Sequence, residues 1–267
     1  MLEIITSPNN PRIKQVVKLR KRTVRDELGL LVVEGYRELK RALDHGWCPA
    51  TLYICPELYL GESEVALVEQ ARKQGADCLE CSAPVFTKMA YRDRPEGLLA
   101  VGPQLAGSLE HLTVSDPALL VVAEAIEKPG NLGTILRSAD AANADAVIVC
   151  DRCTDVNNPN VVRASVGTLF TRPVIEAGSS ETMSWLKAHG IQTLAATPHA
   201  ELNYAEVDFT VPLAIVVGTE QYGLSDQWME DADVKVRIPM LGNADSLNVA
   251  MATTILLFEA VRQRGHI

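Results

Sequence analysis

VRIPMLGNADSLNVAMATTILLFEA, residues 236–260, sets an apolar segment ending at Pro239 against an almost continuous apolar run. Asn243, Asp245, Ser246 and Asn248 lie between the two. The flanks read as a strand, VKVRIPM, and a long helix. Two elements that bury most of their side chains have little use for such a polar crossing unless it makes a turn and a helix cap, or part of a site. Upstream, ALLVVAEAI, DAVIVC, IQTLAAT and PLAIVVGTE read as short buried strands, separated by helical NLGTILRSADAANA and SETMSWLKAHG. VVRASVGTLFTRPV reads as a helix or a helix-to-strand crossover. Strands of about five apolar residues alternating with helices predict an α/β fold with a mostly parallel sheet covered on both faces. In such sheets ligands collect outside the carboxyl ends of the strands. Those ends carry EKPGNLG, CTDVNNPN, TPHA, GTEQYG and PMLGNADSLN. Each alone is a turn; their recurrence points to one shared functional edge.

The first part of the chain reads as a smaller α/β unit. GLLVVEG, TLYIC, ADCLECS and GLLAVG are strand candidates, with YRELKRALDHG, SEVALVEQARKQG and APVFTKMAYR as helices. PQLAGSLEHLTVSDP is a weakly structured link. The expected organisation is a smaller α/β domain over residues 1–107, a linker over 108–116 and a larger α/β domain over 117–267.

The formal net charge is -9 and 47% of the residues are hydrophobic, enough for a sizeable core. Net acidity argues against a general nucleic-acid coat. Yet residues 11–25, PRIKQVVKLRKRTVR, concentrate Arg12, Lys14, Lys18, Arg20, Lys21, Arg22 and Arg25 with no acid. Such a stretch is either a solvated amphipathic helix or a local phosphate-binding face. The opening MLEIITSPNNP lacks a basic-then-apolar leader pattern, and no uninterrupted apolar run reaches about 18 residues. The expectation is a soluble cytoplasmic protein without a membrane span. Cys78/Cys81 and Cys150/Cys153 form two C-x-x-C pairs, but they fall at strand ends with no histidine nearby. A strand puts residues three apart on opposite faces, so no metal is expected.

Three segments carry the chemistry. In PGNLGTILR, Asn131 can cap a helix, Gly133 allows close backbone approach, and Arg137 lies one turn further on the same face. The spacing fits neither a P-loop nor a dinucleotide fingerprint. In GTEQYGLS, Gly218 and Gly223 flank Glu220. The third segment is the opening one. Together these segments resemble the SpoU/TrmH-type RNA 2'-O-ribose methyltransferases of the SPOUT superfamily: Asn131, Gly133 and Arg137; then Gly218, Glu220 and Gly223; then Pro239, Met240, Ser246, Leu247 and Asn248, in the family's order. The likeness spans residues 118–262. PNNPRIKQVVKLRKR and LLVVEGYRELKRAL more weakly resemble the substrate-binding domain fused to such enzymes, which is similar to small RNA-binding ribosomal proteins.

The resemblance implies transfer of a methyl group from S-adenosylmethionine to a ribose 2'-hydroxyl, with large-subunit rRNA as the expected substrate. A tRNA enzyme, or an inactive RNA-binding or ribosome-assembly protein of the same fold, is the alternative. It implies a deep trefoil knot, which periodicity would not suggest, and a homodimer formed through the catalytic domain. It implies Arg137, Asn131, Glu220, Ser246 and Asn248 as catalytic residues. Thr197, Gly218, Glu220, Ile238, Met240 and Leu247 are implied around the cofactor. Arg163, in VVRASVG, is expected to extend the RNA path from the basic stretch.

Overall fold

A computed structural model describes residues 4–265. The chain forms two compact units. One comprises the residues up to Leu105 together with Asn157–Thr171, the other Ala106–Val156 together with the chain from Arg172 onward.

In the first unit the chain runs α1 (Pro11–Lys18), α2 (Arg22–Leu28), β1 (Leu30–Glu34), α3 (Tyr36–Asp44), β2 (Thr51–Ile54), α4 (Ser63–Lys73), β3 (Asp77–Glu80), α5 (Ala83–Met89) and β4 (Leu98–Pro103). The four strands form one sheet in the order β1-β4-β2-β3. β4 is antiparallel to both neighbours and β2 is parallel to β3. Ile13, Val16 and Leu19 of the basic stretch are buried with Val32, Phe86, Met89 and Leu99 in the core. The helical spacing of those three residues is what docks a cationic segment on an apolar surface.

The basic stretch does not continue as one helix. It breaks between α1 and α2, and Arg25 fills the break. Its side chain is buried, with the residue 2% exposed. Its guanidinium donates to the Leu19 carbonyl at 2.7 Å and the Arg20 carbonyl at 3.1 Å. Carbonyls at a helix end lack intrahelical partners, and a buried arginine supplies donors for them. The sequence pattern places Arg25 on an RNA-facing surface; the structure makes it an interior, structural residue.

The second unit opens with β5 (Leu119–Glu124), α6 (Pro129–Ala141) and β6 (Ala146–Cys150). The chain then returns to the first unit for α7 (Pro159–Ala164). The sequence reading assigns this stretch to the catalytic domain, but it folds against the other sheet. Leu105 N donates to Asn157 Oδ1 at 2.9 Å, and Asn157 Nδ2 donates back to the Leu105 carbonyl at 3.2 Å. The second unit resumes with β7 (Val174–Ala177), α8 (Ser179–Ala188), β8 (Gln192–Ala196), the two-residue β9 (Leu202–Asn203), β10 (Leu213–Val217), α9 (Asp226–Asp231), β11 (Val234–Arg237) and α10 (Val249–Gln263). Neither β9 nor α9 is apparent from the sequence pattern.

Its seven strands lie in the order β7-β6-β5-β10-β8-β11-β9, all neighbours parallel. β5, β6 and β10 are buried at every residue. Strands covered on both faces tolerate no polar alternation, which explains the unbroken LLVVA, AVIVC and LAIVV. β10 lies directly between β5 and β8. That placement brings the loop after β10 beside the loop after β5 on one side and the loop after β8 on the other.

The far end of α10 is fixed by Arg264. Its guanidinium donates to four carbonyls, those of Phe209, Pro117, Ala118 and Val211, at 2.8–2.9 Å. These residues stand just before β5 and β10, so one side chain ties the helix end to the start of the two central strands.

Candidate active site

β5 and β10 end side by side. α6 begins five residues after β5, with Pro129 at its first position, where a missing N–H costs nothing. Asn131 is therefore inside the first turn and not its cap. Lys128 takes the cap position without a side-chain cap bond. The Asn131 amide is open to another partner, and its Nδ2 donates to Glu220 Oε1 at 3.0 Å.

Glu220 sits on a tight loop after β10. Thr219 N donates to the Gly223 carbonyl at 2.9 Å, and Gly223 N returns a bond to the Thr219 carbonyl at 3.1 Å. A Cβ on Gly218 would collide with the Gly223 carbonyl. Only glycine lets the chain fold back this closely at that point.

The third contributor arrives on α10. Asn248 is its N-cap: Oδ1 accepts from Ala250 N at 3.1 Å. Nδ2 donates to Glu220 Oε1 at 2.6 Å and to Asn131 Oδ1 at 3.1 Å. One side chain thus starts the helix and joins it to the other two motifs. Ser138 of α6 and Thr254 of α10 share a hydroxyl hydrogen bond of 2.6 Å further along, which keeps the two helices in step.

A fourth member carries no mark in the sequence. Lys128 Nζ forms an ion pair with Glu220 Oε2. The Lys128 hydrogen bond first, and then the Asn131 amide, holds the Glu220 carboxyl below its ordinary pKa. The same bond to Glu220 raises Lys128. Glu220 is thus an ionised hydrogen-bond acceptor on both oxygens. A low pKa makes it a weak general base, because a base works best when its pKa is near the operating pH.

Arg137 is exposed on α6, nearly two turns past Asn131. Among the described residues its side chain has no hydrogen-bond or ion-pair partner, so Asn131 and Glu220 do not orient it directly. Ser246 is exposed two residues before the α10 cap and likewise makes no side-chain hydrogen bond among the described residues. The structure therefore unites Asn131, Glu220, Asn248 and Lys128, and leaves Arg137 and Ser246 open to a ligand.

The residues expected around a cofactor lie on loops after three adjacent strands, β10, β8 and β11. Thr197 is buried; its N–H donates to the Val236 carbonyl at 2.9 Å and its hydroxyl accepts from His199 N at 3.3 Å. Ile238, Met240 and Leu247 are half-buried, while Leu241 is 99% exposed. Among the described residues, no group of three or more His, Cys, Asp or Glu is placed to hold a metal ion. The paired Cys78 and Cys81 are both buried; burial raises both thiols, that of Cys81 to about 12.

The basic stretch also divides. Arg20 donates to the carbonyls of Lys88 and Ala90, at 3.1 and 2.8 Å, and lies over the Tyr91 ring. Arg12 pairs with Asp77 and Arg22 with Asp26. Lys14, Lys18 and Lys21 are exposed, with no side-chain partner among the described residues. Arg163 is exposed on α7.

A parallel sheet whose carboxyl edge gathers three loop motifs around one carboxylate defines an α/β ligand-binding site. Comparison with known proteins gives the family. The model described as the SpoU rRNA Methylase family matches residues 118–258, and one described as an MRM3-like substrate binding domain matches residues 10–100. The 23S rRNA (uridine(2479)-2'-O)-methyltransferase of Streptomyces viridochromogenes is 34% identical over 272 residues, covering 97% of this chain and 92% of that protein. A solved RNA 2'-O ribose methyltransferase is 41% identical with a TM-score of 0.85, covering 98% of this chain and 99% of the other. An AdoMet-bound rRNA methyltransferase from Sinorhizobium meliloti is 32% identical with a TM-score of 0.89, covering 98% of both chains. The chain belongs to the SpoU rRNA methylase family.

Proposed function

We propose that this protein transfers a methyl group from S-adenosylmethionine to a ribose 2'-hydroxyl of RNA, with large-subunit rRNA as substrate. The observation that carries the reading is the convergence of three separate motifs: Asn131 Nδ2 and Asn248 Nδ2 both donate to Glu220 Oε1, and Asn248 Nδ2 also donates to Asn131 Oδ1. Relatives of nearly full length act on 23S rRNA by name, and the site residues suit the cofactor named for one structural neighbour. Thr197, Gly218, Glu220, Ile238, Met240 and Leu247 would hold it. The cofactor supplies an activated methyl, so the protein has to position and polarise rather than create a nucleophile-activating metal centre.

Arg137 offers a planar fork of N–H donors and no acceptor. Its task is to bind the phosphate next to the target ribose and stabilise negative charge developing on the 2'-oxygen. Glu220, ionised and held on both oxygens, fixes the loop after β10 to α6 and α10. Asn131 and Asn248 present the edge of that network to the ribose, and Ser246 completes the polar rim. The 2'-hydroxyl proton leaves to water or to substrate phosphate.

The N-terminal unit serves as the RNA-binding domain, a reading supported by the match of residues 10–100 to an MRM3-like substrate binding domain. The catalytic unit carries the family's trefoil knot, a reading supported by the insertion of β10 between β5 and β8. The protein works as a homodimer through that unit. Met251 and Phe258, seven positions apart on one face of α10, are 62% and 39% exposed, which supports a covered face there. No described helix is long and apolar enough to cross a membrane, in keeping with action on rRNA in the cytoplasm.

The test is methylation of 23S rRNA by the full chain with methyl-labelled cofactor, followed by mapping of alkali-resistant 2'-O-methyl positions. The expected result is one labelled ribose. Arg137→Ala should keep cofactor affinity and lose about a hundredfold or more in transfer rate. Absence of labelling on rRNA, with labelling of tRNA, would reassign the substrate; absence on both with no cofactor binding would remove the enzyme reading.

A further inference from the structure

The first unit contains a cavity of about 640 Å³, lined among others by Tyr36, Arg37, Glu38, Leu60, Glu64 and Arg163. It is distinct from the carboxylate cluster of the second unit. Its size falls in the range of small-ligand sites, about 300–1,000 Å³. A single nucleotide fits such a space and a double helix does not.

Its walls are fixed by buried acids. Arg92 pairs with Glu38 at 2.7 Å and with Glu96. Glu96 Oε2 accepts from Tyr36 N at 3.2 Å, which fixes the start of α3. Glu64 Oε1 accepts from Leu60 N at 3.0 Å and Gly61 N at 3.2 Å, which fixes the opposite loop. The two residues offering flat or apolar surface, Tyr36 and Leu60, are thus held by their backbones. Leu60 is nevertheless 77% exposed. Its side chain is available to pack against a flat face entering the cavity it lines.

The mouth is cationic. Arg37 and Arg163 are exposed and have no side-chain partner among the described residues. Arg163 is delivered by α7, the segment that crosses into this unit. The Arg41 guanidinium donates to the Val166 carbonyl. A Cβ on Gly167, which has φ 81°, would approach within 2.9 Å of Glu38 Cα. The turn that follows α7 therefore lies directly on α3, and Arg37 of α3 and Arg163 of α7 line the same cavity.

We propose that this cavity holds one unpaired nucleotide of the RNA substrate, its phosphate on Arg37 and Arg163 and its base beside Tyr36 and Leu60. Arginine binds phosphate through paired N–H groups, and a base stacks on an aromatic face with little dependence on sequence. The acids keep the phosphate at the exposed rim: Glu38 and Glu96 share the one Arg92, Glu64 Oε1 is engaged by two backbone N–H groups, and Glu38 Oε2 and Glu64 Oε2 are buried without a hydrogen-bond partner among the described residues, so the anion goes to the exposed Arg37 and Arg163. The inference rests on the RNA-methyltransferase reading.

The experiment measures binding of a fluorescein-labelled single-stranded RNA and of the corresponding duplex to the full chain. Arg37→Ala/Arg163→Ala is compared with Lys14→Ala/Lys18→Ala, which removes equal charge elsewhere on the same unit. The first variant should weaken single-strand binding about tenfold or more, and beyond the second, while the duplex loses no more than the control. Ultraviolet cross-linking should join the single strand to the peptide containing Tyr36 in the wild type. Equal losses for both variants, or cross-links confined to other peptides, would overturn the proposal. If the wild type binds neither RNA and methylates no rRNA, the underlying functional reading fails instead. Thermal melting and cofactor binding of each variant establish that it is folded.

Discussion

Asn248 Nδ2 donates to Glu220 Oε1 at 2.6 Å while Asn248 Oδ1 caps α10. The two halves of this amide have different tasks, and substitutions can separate them. Asn248→Asp keeps an acceptor for the helix N–H but sets a second carboxylate against Glu220. Asn248→Ala loses both. Alanine should cost about 1 kcal/mol of stability as a lost cap. Aspartate should melt nearer the wild type, yet both should reduce methyl transfer about a hundredfold. Thermal melts alongside transfer rates check this; full activity in Asn248→Asp would show that only the cap matters.

Lys128 favours the ionised form of Glu220. The Glu220 pKa is lowered from 4.5, first by Lys128 and then by Asn131. A depressed folded-state pKa gives a contribution fully present above the unfolded value and lost as pH falls through the folded one. Lys128→Met should therefore move the Glu220 midpoint upward and shift the acid loss of the site to higher pH. Side-chain carboxyl NMR titration reads the midpoint. The stability change at neutral pH should be small, because the pair is on the surface. An unmoved midpoint would assign the shift to the two amides alone.

The basic stretch contains surface and interior cations, and RNA should tell them apart. Replacing Lys14, Lys18 and Lys21 with glutamine should weaken rRNA binding and flatten its dependence on salt, by about 0.7–0.9 in log–log slope for each phosphate no longer neutralised. The fold should survive. Arg25→Gln should instead destabilise the first unit by about 2–4 kcal/mol, since it strands the Leu19 and Arg20 carbonyls. Salt-titrated binding and denaturant melts measure the two effects. A stable Arg25→Gln with altered salt slope would return that residue to the RNA surface.

Arg264→Ala removes donors from four carbonyls at once. A loss of about 2–4 kcal/mol is expected. Lysine cannot reproduce the fork and should recover only part of it. Chemical denaturation of the three proteins decides; a full rescue by lysine would mean that charge alone is sufficient.

The parallel sheet is legible in the sequence because β5, β6 and β10 are covered on both faces, so their residues carry no polar interruptions. Asn131, Glu220 and Asn248 are legible as three motifs, though not as one hydrogen-bonded cluster. Lys128 is not: a lysine before proline looks like an ordinary loop charge, and its partner is 92 positions away. Arg25 is hidden because a row of cations has no local mark for the one that turns inward. That mark is the break between two short helices, whose carbonyls need a donor. The placement of α7 is hidden for a related reason. An apolar helix face reads the same whichever sheet it covers, and in the fold its packing on β1 and the Asn157 and Arg41 hydrogen bonds fix its unit. α9, a six-residue helix with Trp228 as its buried residue, is too short for periodicity to register.

α10 has fifteen residues, about 22 Å of rigid rise. Asn248 stands at one end and Arg264 just beyond the other. The helix is a strut bolted at its base to four carbonyl groups, with the amide that joins Glu220 and Asn131 at its tip. Sequence drift around Phe209 or Pro117 can therefore tilt that amide without altering any residue near a substrate. The starts of the two central strands are thus a remote adjustment screw for the Asn131–Glu220–Asn248 cluster.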